Sequence, residues 1–176
     1  MKKTNRKKMM NTILIIVGII TVPILVVLIG GMMLPVNHTA SVEKTFATKP
    51  DRIWSLLTDI EGQPKWRTDL KSIKVVSQDP VSWVETSGFG EIPMKVERIE
   101  SNQTLVTRIN STELPFGGTW TFKLEPQGSS TKLTITEDGE VRQPVFRFLS
   151  KYVFGHTKTL NTYMGHLETF LKKEAV

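Results

Sequence analysis

PVFRFLSKYVFGHTKTLNTYMGHLETFLKK, residues 144–173, decides the fold. Its second half carries Leu160, Tyr163, Met164, Leu167, Phe170 and Leu171, at i, i+3, i+4, i+7, i+10 and i+11. That is the stripe of an amphipathic helix with one buried face. Polar residues occupy the rest of the surface: Lys158, Asn161, Thr162, Glu168, Lys172 and Lys173. Stepping back by threes and fours reaches His156, Val153 or Tyr152, Leu149 and Val145, so the spacing predicts one long rod over Val145–Leu171. Gly155 interrupts the stripe and is the place where the helix would bend. A helix with so wide an apolar face needs a large apolar surface to lie on.

Residues 70–142 offer that surface as a run of short strands separated by turn signals. The expected strands are Ile73–Ser77, Val81–Thr86, Ile92–Glu100, Thr104–Ile109, Thr119–Leu124 and Thr131–Val141. Alternation is clearest where Trp120, Phe122 and Leu124 interleave with Thr119, Thr121 and Lys123. Such a pattern describes an antiparallel sheet covered on one face. Upstream, residues 38–48 alternate as a first strand. Pro50-Asp51 then opens a helix with Ile53, Trp54, Leu56 and Leu57 on its apolar side, and Gln63-Pro64-Lys65-Trp66 makes a second short turn. Trp54 and Trp66 read as core residues.

The N-terminal fifth differs in kind. Residues 1–10 form a basic tail, and Ile13–Val36 is a run of 24 uncharged residues. As a helix it would extend about 36 Å, against a hydrocarbon core of about 30 Å. Its length and the lack of a small-residue cleavage site favour an uncleaved anchor over residues 11–36, rather than a removed signal. Lys2, Lys3, Arg6, Lys7 and Lys8 predict that the tail stays in the cytoplasm and that the domain of residues 37–176 lies outside the plasma membrane. Those five charges also carry most of the net charge of +6; the rest of the chain holds 18 basic and 17 acidic residues. A near-neutral domain has no electrostatic footprint for nucleic acid. With no cysteine, disulfide scaffolds, thiolate nucleophiles and Cys-based zinc sites are excluded.

The order strand, two short helices, antiparallel meander, long C-terminal helix resembles the START-like superfamily, and within it the SRPBCC group of polyketide cyclase/dehydrase and lipid-transport proteins. The residues that carry the likeness are Pro50-Asp51-Arg52-Ile53-Trp54-Ser55-Leu56-Leu57-Thr58-Asp59, Pro64-Lys65-Trp66 and Leu160-Asn161-Thr162-Tyr163-Met164-Gly165-His166-Leu167. The resemblance covers about residues 38–173. It implies an α+β helix-grip fold, in which the sheet wraps the long helix around an elongated apolar cavity. It also implies a range of activities from lipid carriage to cyclisation, so fold alone settles no function.

A cavity of that kind would be lined by Trp83, Glu85, Met94, Val96, Arg98, Trp120 and Phe122 from the strands, and by Leu149, Val153, His156 and Leu160 from the helix. Alternation puts Glu85 with Trp83, and Arg98 with Met94. The two charges would therefore pair inside and orient a ligand's polar end, or sit solvated at the rim. His156 is either a general base facing the cavity or a satisfied histidine beside Gly155. His38 and His166 share no spacing with it, and Glu137-Asp138-Gly139-Glu140 reads as a solvated acidic turn. No Gly-x-Ser-x-Gly elbow supports a hydrolase. No metal site and no cofactor is expected. The glycosylation-type triplets at Asn37, Asn102 and Asn110 are too common in sequences to carry weight, and would mean nothing if the source is bacterial. Three functions remain open: a membrane-anchored binding module for a hydrophobic or lipid-like molecule, a cyclase or dehydratase acting on an apolar carbonyl compound through His156 and Glu85, and a ligand-free sensor or interaction domain at the cell envelope.

Overall fold

The computed structural model describes residues 2–174; Met1 of the basic tail and the last two residues lie outside it, as do the side chains of residues 2–6 and of Lys8. The uncharged run is helical from Ile13 to Met33 and leaves the helix over its last three residues. It forms most of α1 (Lys2–Met33), with Pro23 inside it. The stretch Met9–Met33 has a mean hydropathy of 3.1 and is long and apolar enough to cross a membrane. Its large side chains are exposed, which suits a helix surrounded by hydrocarbon rather than by protein.

The alternating segments pair as expected. β1 (Asn37–Phe46) leads to α2 (Pro50–Thr58), which has proline in its first turn, and to a 3₁₀ turn at Gln63–Lys65. Then follow β2 (Leu70–Gln78), β3 (Val81–Ser87), β4 (Gly90–Glu100), β5 (Thr104–Ile109), β6 (Phe116–Gln127) and β7 (Ser130–Val141). They make one seven-stranded sheet in the order β1-β7-β6-β5-β4-β3-β2, antiparallel at every junction. Five tight hairpins or short loops build the meander, and only β1 crosses back to pair with the last strand.

The last helix begins later than its stripe suggests. Three pieces replace the single rod: α3 (Pro144–Leu149), a π-helical turn at Ser150–Phe154, and α4 (Lys158–Glu174). The break falls at Gly155, whose φ of 75° and ψ of 148° belong to a region essentially reserved for glycine. Only the downstream half of this apolar stripe is buried on the sheet; in the upstream half Val145, Tyr152 and Val153 stay exposed. α4 lays Leu160, Tyr163, Met164 and Leu167 against Phe46, Leu105, Phe122, Leu124, Leu133 and Ile135 of the sheet. Ile53, Leu56, Leu57 and Trp66 close the same core from the side. α3 instead packs on the end of α1. A Cβ on Gly31 would stand 1.9 Å from the Pro144 carbonyl oxygen, and one on Gly30 would stand 3.1 Å from the Phe148 ring. The Arg147 guanidinium donates to the Leu34 carbonyl at 2.7 Å.

Candidate functional site

The strand register defines which side chains share the inner face. One row runs Val96, Thr107, Trp120, Glu137, Ala40 across β4, β5, β6, β7 and β1. Beside it lie Trp83, Met94 and Ile109. α4 covers the end of this face nearest Phe46 and Leu133. Toward the other end, Ile92, Met94, Val96, Ile109 and Trp120 are only half-buried. The helical piece that would have covered them has gone to α1. An aromatic wall closes the covered side: Tyr163 meets Trp120, Phe122 and Trp66 at centroid distances of 5.7, 5.3 and 5.2 Å. Burial pushes the Tyr163 phenol well above its ordinary range.

Two polar clusters flank the wall. The first is an ion pair inside the domain. Both guanidinium nitrogens of Arg67 reach Glu85, at 2.9 and 3.2 Å, and the Trp83 indole donates to the same carboxylate at 3.1 Å. Arg67 also donates to Asp69 and Gln63 at 3.0 Å and lies over the Tyr163 ring. Asp69 in turn stands 3.0 Å from the His166 ring. Burial pushes the Asp69 carboxyl up, but the hydrogen bond and charge of Arg67 outweigh it and hold the group below its ordinary value. Glu85 is therefore fully engaged in joining β3, the 3₁₀ region and α4.

Arg98 is not its partner. A register shift between Val96 and Arg98 breaks the alternation, so Arg98 pairs across to Val106 on the outer face. Its side chain is 60% exposed and sits 3.8 Å from Glu100. Arg67, missed by the sequence reading, takes the role given to Arg98.

The second cluster lies at the open end. His38 and His156 stack face to face with centroids 3.9 Å apart, and the His38 ring stands 3.7 Å from Glu137. Gly139 makes this geometry available: a Cβ there would meet the His38 ring at 2.4 Å. Glu137 is not in a solvated turn but in β7, under Trp120. Desolvation pushes its carboxyl up to about 7, partly offset by the Trp120 indole. Burial lowers both imidazoles, with His156 adding to the effect on His38 and Lys151 to that on His156. Burial thus biases each of the three groups toward its neutral form, so the 3.7 Å contact is not that of a fully formed ion pair. Chemically, the cluster can lend or take a proton near neutral pH and can hydrogen-bond a polar group at the edge of an apolar surface.

The remaining expected lining residues divide. Trp83, Phe122 and Leu160 are buried in the core, Leu149 is half-buried in α3, and Val153 is 61% exposed on the π turn, away from the sheet. The stacking of His38 on His156 joins the first strand to the turn before α4, 118 positions apart, and no local spacing signals it.

Comparison with known proteins accords with this architecture. The family described as "Polyketide cyclase / dehydrase and lipid transport" matches residues 37–158. A START superfamily protein from Mycobacterium smegmatis superposes with a TM-score of 0.64 at 21% identity, covering 77% of this chain and 98% of that one. A protein from Mesorhizobium loti gives 0.60 at 22% identity, over 77% and 98% of the two chains. Norcoclaurine synthase from Thalictrum flavum gives 0.62 at 12% identity, over 77% and 87%. At these identities the likeness is one of fold. No curated protein matches the sequence.

Proposed function

The chain belongs to the polyketide cyclase/dehydrase and lipid transport family, and from that premise we propose that it is a membrane-anchored module that binds a hydrophobic or amphipathic, lipid-like molecule. One observation carries the reading: the inner face of the sheet beyond the start of α4 is apolar, half-open and ends on Glu137, His38 and His156. Ile92, Met94, Val96, Ile109 and Trp120 supply surface for an aliphatic body, and the carboxyl and imidazoles supply hydrogen bonds for a polar end. α1 spans the plasma membrane with the basic tail in the cytoplasm, which tethers the site beside dissolved ligand.

The full-length protein, purified in detergent and analysed by native mass spectrometry, should carry lipid-like molecules. The bulky variant Val96→Trp, which would occupy that open face, should lose them while keeping the wild-type unfolding midpoint. An empty wild-type protein that also fails to bind a fluorescent fatty acid would end the proposal. Protease added to spheroplasts should cut the domain; full protection would reverse the orientation.

A second reading, an enzyme of cyclase or dehydratase type, rests on the proton-ready pair. Protonated Glu137 can give its proton to a carbonyl oxygen while neutral His156 takes one from the adjacent carbon. Glu85, tied to Arg67, has no part in it. Turnover would have to vanish in Glu137→Gln and His156→Ala with the fold intact.

A further inference from the structure

We propose that α3 and the π turn form a second membrane contact, an interfacial element that dips into the outer leaflet beside α1; this rests on α1 being the anchor. Three observations meet there. Val145, Phe146, Tyr152, Val153 and Phe154 are exposed to between 38% and 61%, in a segment of otherwise folded chain. Residues 141–167 contain Arg142, Arg147, Lys151 and Lys158 and no acidic residue. And the segment is docked on α1 at Gly31, where the absence of a side chain lets the Pro144 backbone touch, and at Gly30, which takes the Phe148 ring.

Depth follows from length. If the hydrocarbon core begins just after Lys8, a span of about 30 Å at about 1.5 Å per residue ends near Gly30. The contact point is thus at the outer boundary of the hydrocarbon, and the exposed aromatic and aliphatic side chains emerge at headgroup level. Lys151 lies 5.7 Å from the Tyr152 ring and Lys158 lies 5.3 Å from the Phe154 ring, so each cation sits with the aromatic it accompanies. That combination fits an anionic lipid surface: apolar groups for the acyl boundary, cations for the phosphates. Because His156 follows Phe154 by two positions, the element would hold the open end of the binding face against the bilayer.

The cysteine-free chain makes the test direct. Single cysteines at Val22, Val153 and Val76 are labelled with an environment-sensitive fluorophore in the full-length protein. The protein is reconstituted in phosphatidylcholine vesicles with or without 30% phosphatidylglycerol. Val76 lies in β2 and is 65% exposed, so it serves as the water reference. The label at Val22 should be quenched by lipids spin-labelled deep in the acyl chain. The label at Val153 should be quenched at least threefold more than that at Val76 by lipids spin-labelled near the headgroup. Lys151→Glu with Lys158→Glu should cut the Val153 quenching in the anionic vesicles. A quenched Val22 with a water-like Val153 overturns the interfacial element and leaves the anchor standing. A water-like Val22 removes the anchor itself. A Val153 label shielded from water yet untouched by either quencher assigns the face to a second copy or another protein and also overturns the proposal.

Discussion

At the scale of single residues, the most informative groups are those whose charge and surroundings disagree. Glu137 is one. Its carboxyl titrates near 7 rather than at its ordinary 4.5, because burial penalises the anion. A raised folded-state value for an acid means that the anion destabilises the fold. The penalty is absent below about 4.5, grows between there and about 7, and is complete above it. The interval, at about 1.36 kcal/mol per pH unit, corresponds to a cost on the order of 3 kcal/mol. Glu137→Gln should therefore stabilise the domain by up to about 3 kcal/mol at pH 8 and by almost nothing at pH 4, measured by urea unfolding at both pH values. An equal effect at the two would refute the burial argument. Arg67 presents the opposite case, since its removal strands Glu85 in the interior. Arg67→Ala should cost about 3–5 kcal/mol, whereas Arg67→Met combined with Glu85→Leu should cost less, because no unpaired charge remains. Neither residue pair was legible in advance. Arg67 lies in a region with no periodicity, and Glu137 sits in an acidic run whose composition suggests water; only the cross-strand register turns it inward.

At the scale of elements, strand existence and facing were plain, because Trp120, Phe122 and Leu124 or Leu133 and Ile135 alternate without interruption. The exception came where one extra residue in β4 reset the phase between Val96 and Arg98, and a bulge leaves no compositional mark there. The apolar stripe of residues 145–171 was equally visible, yet only its downstream part, Leu160 to Leu167, is buried, while Val145, Tyr152 and Val153 stay exposed. Gly155 was the visible warning. Its substitution by alanine meets no neighbouring atom, so the cost is purely that of the backbone, about 1–3 kcal/mol. Hydrogen exchange in Gly155→Ala should rise in residues 150–160 and leave the strands unchanged. By contrast Leu160→Ala and Leu167→Ala, at fully buried positions of α4, should each lose about 2–5 kcal/mol and loosen the whole sheet.

For the whole molecule, the question is what the long apolar helix α1 contributes to the sheet and helices that follow it. Every residue of the hydrophobic core lies at or after Ala40, so the domain's own packing is complete without α1. Yet α3 borrows α1 as its floor, through Gly30, Gly31 and the Arg147 bond to the Leu34 carbonyl. The sequence conceals this because two glycines near the end of an apolar run look like ordinary membrane-helix composition. The two dependences separate under one substitution. Gly31→Val would drive side-chain atoms into the Pro144 carbonyl, a contact made by backbone that cannot swing aside. α3 must then lift off while the strands and α4 keep their contacts. In the full-length protein this variant should show faster amide exchange across residues 144–154, with urea unfolding of the sheet within about 0.5 kcal/mol of wild type, as for a site outside the core. If α3 instead stayed protected, it would be held by the domain and not by the anchor. If the sheet unfolded along with it, the half-open inner face would depend on α1 for its integrity, and α1 and the sheet would form one cooperative unit.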